Sequence, residues 1–133
     1  MSNVEFRETT LEDVGASERF DLVLAIDCIH DMPDPVGALR KVGRLVDEEN
    51  GLLFWSEPTG SDDPMENRNA TSKMRSTLSP YHCLTVSLAE GGAGLGTIIG
   101  EQGARNLAEQ AGFTRFEKLP IESVMQQFFL VRK

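Results

Sequence analysis

The stretch FDLVLAIDCIHDMPDPVGALRKV, Phe20 to Val42, decides the fold. Its first part, Phe20 to Ile26 (FDLVLAI), is an apolar run of strand length, the pattern of a strand covered on both faces in a parallel sheet. The polar segment Asp27 to Pro33 follows, and Asp34-Pro35 then fit an N-cap with proline at the first helical position. Val36, Leu39, Val42, Leu45 and Val46 recur at helical spacing while Arg40, Lys41 and Arg44 take the other face, and Asn50-Gly51 supplies a stop. A helix is predicted over Pro35 to Val46.

Downstream, Gly51 to Ser56 (GLLFWS) reads as a second buried strand. Strand, helix and strand in such close succession have the dimensions of a crossover unit, so the sheet is expected to be parallel at its centre. Upstream, Val4 to Glu8 alternates apolar and polar residues and is predicted as a half-buried strand. Glu57 to Asn69 is rich in Pro, Gly, Ser, Asp and Asn and is predicted as a long exposed loop. Met74 to Glu90 has helical spacing broken at Pro80, which predicts one or two short helices. Gly100 to Ala111 is predicted as a helix closed by Gly112, and Phe113 to Ile121 with Gln126 to Arg132 as two last, antiparallel strands.

At 133 residues, 40% hydrophobic and 26% charged, the chain has the size and composition of one globular domain. The net charge of -8 repels phosphate backbones and argues against a nucleic-acid partner. No apolar run reaches membrane-spanning length and Met1 to Thr10 has no leader pattern, so a cytoplasmic location and no membrane partner are expected. Cys28 and Cys83 are the only cysteines, and with no CxxC or HxxxH spacing they are read as two small thiols, with no metal expected.

The order of these elements, with FDLVLAIDCIHDMPDPVGALRKV, GLLFWSEP, LAEQAGFTRFEKLPI and FFLVRK as its signatures, resembles class I S-adenosylmethionine (SAM) methyltransferases from their third strand onward. Tyr81 to Gln102 (YHCLTVSLAEGGAGLGTIIGEQ) resembles a bacterial subgroup that joins a winged-helix domain to a small-molecule methyltransferase domain. The resemblance implies an α/β, Rossmann-like, mostly parallel sheet with helices on both faces and an antiparallel terminal strand pair. It also implies SAM as cofactor and a small-molecule acceptor. The family's glycine-rich turn and ribose-binding acid would precede this chain, so a domain truncated at its N-terminus, with SAM binding weak or absent, is expected.

By the same resemblance, His30 of the IHD turn stands where small-molecule O-methyltransferases carry a catalytic base, the alternative being a residue that lines the cofactor. Asp31 orients it or faces solvent. Asp27 and Cys28 would lie along the methionine part of SAM, and Thr10 stands where the family contacts adenine, with Asp13 close enough to compete for that alignment. Glu57 is a second catalytic candidate, orienting His30 or an acceptor hydroxyl, against a bland reading as a solvated carboxylate opening an acidic loop. Tyr81 and His82 are read as acceptor-pocket residues, against a core role. The glycines from Gly91 to Gly100 follow a helical stretch instead of a strand, which excludes a phosphate loop.

Two functions compete at this point. One is a methyltransferase, inactive alone if the cofactor half is missing; the other is a non-catalytic binding or assembly module of methyltransferase descent. Loss of the first strands would leave Phe20 to Ile26 with a bare apolar edge, so a homodimer or larger assembly is expected.

Overall fold

A computed structural model describes residues 3–133. Among these residues four strands form one sheet: β1 (Leu22–Ile26), β2 (Leu52–Pro58), β3 (Arg115–Lys118) and β4 (Gln126–Arg132), in the order β1-β2-β4-β3. β1 runs parallel to β2, with Leu24 opposite Phe54, whereas β4 lies antiparallel to both β2 and β3. The sheet is thus mixed, with its parallel pairing between β1 and β2.

The crossover from β1 to β2 is helix α1 (Pro35–Leu45), and its start follows the sequence closely. The Asp34 carboxylate accepts the Gly37 N–H at 2.8 Å, and Pro35 occupies the first turn, where its missing N–H costs nothing. Ala38, Leu39, Val42 and Leu45 of α1 are buried. They face α4 (Glu101–Ala111), which buries Ala104 and Ala108 and ends at Gly112 with φ 99°, a left-handed cap that suits glycine. Between them lie α2 (Ala70–Leu78) and α3 (Cys83–Ala89), separated by a 3₁₀ turn at Ser79–Tyr81 where Pro80 breaks the helical spacing.

The core gathers on one face of the sheet: Leu53, Trp55, Phe129 and Val131 from β2 and β4, under Leu39, Val42, Ala104 and Ala108. Trp55 and Phe129 pack at 5.6 Å between ring centroids and 63°, an edge-to-face arrangement. Cover on the opposite face is partial: Ser56 and Pro58 at the end of β2 are buried there, but β1 is not covered. Alternate residues of β1, Leu22, Leu24 and Ile26, point to the opposite face and are each more than half exposed, at 52%, 59% and 52%. That exposure corrects the reading of Phe20 to Ile26 as a strand buried on both sides.

Two further expectations change. Val4 to Glu8 forms no strand. It has no partner to complete a ladder; Phe6 is 94% exposed, and Arg7 is held instead by ion pairs to Glu5 at 2.8 Å and Glu18 at 2.7 Å. Conversely, β2 runs past Ser56 through Glu57 and Pro58, because β4 continues to pair with it, Gln127 opposite Glu57 and Gln126 opposite Pro58. The long loop therefore begins later than predicted, and its first two residues are buried strand.

Candidate functional site

The site forms where β1 and β2 end together, the carboxyl edge at which open α/β sheets place their ligands. The Asp27 N–H donates to the Ser56 carbonyl at 2.9 Å, extending the parallel ladder by one residue. Asp27 then turns the chain with φ 54°, a left-handed conformation that aspartate tolerates better than most residues. The 3₁₀ turn Ile29–Asp31 brings His30 back under the strand ends, where it is 3% exposed.

There His30 meets Glu57, which is wholly buried. His30 Nδ1 lies 2.5 Å from Glu57 Oε2, and Trp55 Nε1–H donates to Glu57 Oε1 at 2.7 Å. Indole can only donate, so Glu57 Oε1 accepts, and an Nδ1–H of His30 donating to Oε2 completes the pair. Nε2 is left as the working nitrogen. Burial disfavours a charged imidazole, but the hydrogen bond and charge of Glu57, with Asp31 and Asp27 behind it, outweigh burial and raise the His30 pKa above the ordinary histidine value.

Around Nε2 stand other polar groups. Asp31 Oδ1 is 3.2 Å away but not aligned for a hydrogen bond, and that oxygen is buried without a partner. Asp27 Oδ1 is 4.0 Å from Nδ1. Cys28 is half-buried, and burial first, then the Glu57 charge, pushes its thiol pKa up. His30 and Asp31 open into a cleft of about 470 Å³, walled also by Arg75, His82, Thr97 and Gln126. A larger depression of about 800 Å³ lies between the long loop and the start of α4, around Ser61, Asp62, Asn67 and Glu101, and holds none of these groups.

The fold therefore brings together His30, Asp31, Glu57, Asp27, His82 and Tyr81. The last two sit on the rim, Tyr81 at 83% exposure, which places them in the cleft wall and outside the core. Thr10 is not brought in: it sits on the exposed N-terminal stretch with its hydroxyl on Asp13 at 2.7 Å. The bland reading of Glu57 as a solvated carboxylate is overturned by its burial.

Sequence reasoning missed three residues. Trp55 orients Glu57; the signal was present, since residues two apart on a strand share a face. Arg75 is buried in α2 and donates to the backbone carbonyls of Thr59 and Met125, tying the long loop to the segment before β4, with burial lowering its pKa. Gln127 Nε2 donates to the Ile99 carbonyl at 2.8 Å and the Pro58 carbonyl at 3.2 Å. No local pattern marks either of these two.

No family model matches the sequence, and no curated protein matches it. Solved structures do share the backbone. The chain resembles an O-methyltransferase family protein from Burkholderia thailandensis, at TM-score 0.67 and 18% identity over 99% of this chain. It resembles human N-acetylserotonin methyltransferase in complex with SAM, at TM-score 0.68 and 16% identity over 100% of this chain. A trans-methyltransferase, CalH, in complex with SAH gives TM-score 0.66 and 22% identity, again over 100%. This is a methyltransferase fold. The chain spans 36%, 34% and 37% of those three chains, about a third of each. At such identities the likeness establishes the methyltransferase fold and nothing finer. No helix among the described residues is long and apolar enough to cross a membrane.

Proposed function

We propose that this methyltransferase-fold chain serves SAM-dependent methyl transfer to the hydroxyl or amine of a small-molecule acceptor, with His30 as the general base. The observation that carries the reading is the buried His30–Glu57 pair at 2.5 Å, at the carboxyl ends of the parallel strands. Glu57, itself fixed by Trp55, keeps the proton on Nδ1 and turns Nε2 toward the cleft, where it takes the acceptor's proton. SAM, when bound, supplies the electrophilic methyl group. Of the residues present, Asp27 and Cys28 would hold its methionine part: the exposed Asp27 carboxylate suits an ammonium group, and both residues sit at the strand end. Thr10 lies outside this cleft, with its hydroxyl on Asp13. His82 and Tyr81 on the rim, with the Arg75-tethered loop, would border the acceptor.

These anchors are few, and among the described residues no strand is followed by a glycine-rich turn, so SAM affinity is expected to depend on a complementary methyltransferase half that carries one. The test combines both ideas. SAM binding by calorimetry and product formation with phenolic and amine acceptors are measured for the chain alone and with such a half added. Saturable binding and turnover are expected only in the mixture, and His30→Ala should lower turnover by about 10²- to 10⁴-fold while acceptor KM changes far less. Turnover untouched by His30→Ala would reduce His30 to a lining residue, and a mixture that never binds SAM would leave a non-catalytic module as the better reading.

A further inference from the structure

His30 and Asp31 face a second pair of adjacent residues, His82 and Cys83, at the start of α3, and the fold brings these two pairs together from distant parts of the sequence. Ligand atoms of His30, Asp31 and Cys83 all lie within 4.8 Å of one another. His82 Nε2, 4.0 Å from Asp31 Oδ2 on an exposed side chain, lies beside this trio and can swing in as a fourth donor. We propose that His30, Asp31, His82 and Cys83 form a binding site for a thiophilic divalent cation of the zinc class.

The donor set is chemically suited to it: two imidazole nitrogens, a thiol sulfur and a carboxylate oxygen are the ligands zinc takes in tetrahedral sites. With bonds of about 2.0–2.3 Å, tetrahedral ligand atoms sit roughly 3.3–3.8 Å apart, so His30, Asp31 and Cys83 need to close by about an ångström while the exposed His82 side chain turns in to join them. Three features of the surroundings favour occupancy. The first is Asp31 Oδ1, a buried acceptor with no hydrogen-bond partner. A carboxylate oxygen left so is costly, and a cation satisfies it. The second is the Nδ1–H of His30 on Glu57, which fixes the tautomer and directs Nε2 outward, the carboxylate–histidine support that metal-ligating histidines ordinarily have. The third is local charge: Asp31 stands at Nε2, Glu57 and Asp27 add negative charge on the Nδ1 side of the same ring, and the nearby cation Arg75 is spent on the carbonyls of Thr59 and Met125.

Burial, then Asp31, holds the Cys83 thiol pKa up. A bound divalent ion reverses that balance, takes the sulfur as thiolate and releases its proton to solvent. Because the ion would occupy the same His30 Nε2 that the proposed base uses, metal binding and proton abstraction exclude each other. The site itself stands whether or not His30 is a catalytic base.

The probe is Co²⁺ alone, titrated into the reduced chain without SAM or acceptor. Visible d–d bands of a tetrahedral site and a thiolate-to-cobalt charge-transfer band are expected at one equivalent. Cys83→Ser should abolish the charge-transfer band, His30→Ala should weaken binding at least tenfold, and Cys28→Ser should leave the band in place. A second measurement needs no variant: Zn²⁺ should slow alkylation of Cys83 but not of Cys28 in the unaltered chain, read by peptide mapping. Absence of the bands in folded protein, their persistence in Cys83→Ser, or equal alkylation of both thiols with and without Zn²⁺ would each overturn the site.

Discussion

The two faces of the sheet were built from similar residues and met different fates. On one face Leu53, Trp55, Phe129 and Val131 are fully buried beneath α1 and α4. On the other, Leu22, Leu24 and Ile26 stand more than half exposed along β1, which is an edge strand. The contrast teaches that an apolar strand run states a demand for cover without saying who supplies it. The same run, FDLVLAI, lays Ala25 in the core and leaves its alternate neighbours outside.

The largest effect that would test this contrast belongs to the covered face. Trp55→Ala removes a buried indole, opens a cavity and strips Glu57 of a donor, and is expected to cost about 3–5 kcal/mol in denaturant unfolding. That is a large share of the stability of any domain this size. Leu24→Ala on the bare face should cost well under half as much; equal losses would mean that the two faces are covered alike in solution.

An edge strand with an apolar face recruits a partner, and pairing of two β1 edges about a twofold axis covers both copies at once. Sedimentation at micromolar protein is expected to report a dimer, converted to monomer by Leu24→Lys, where a desolvated ammonium on the seam opposes pairing. A wild-type monomer would show that this face stays bare.

The smallest effect lies on neither face. Asp47 accepts the N–H groups of Glu49 and Asn50 at 3.1 and 3.0 Å in the turn leading to β2, and these bonds lower its pKa. Its folded pKa is depressed, so its contribution is present above the unfolded value near 3.8 and disappears as pH falls through the folded one. Asp47→Ala should therefore lower Tm slightly at neutral pH, and the gap to wild type should close in acid. A gap independent of pH would assign the effect to the turn's shape instead of its charge.

Most of the frame was legible because its signals are local. The Asp34-Pro35 start of α1, the Gly112 end of α4 and the break at Pro80 each depend on a few consecutive residues, and each holds. What misled was local pattern without tertiary support: Val4 to Glu8 alternates like a strand, yet alternation makes no sheet without a neighbour. Glu57 stood between two readings, a partner of His30 and a solvated carboxylate. By sequence it opens an acidic loop, and only the continued pairing of β4 buries it beside His30. Its partnership with Trp55 was open to period-two reading, but the meeting of His30 with Cys83 depends on how the 3₁₀ turn and α3 pack, which no spacing in the chain encodes.

Trp55 is the single tryptophan of the chain, and its indole N–H ends on the carboxylate that grips His30. Indole emission responds to the charge of a group bonded to its nitrogen. The protein thus carries its own optical reporter, wired through one carboxylate to the imidazole. Proton loss or ligand arrival at His30 can be followed by fluorescence in unlabelled protein, with no second tryptophan contributing background.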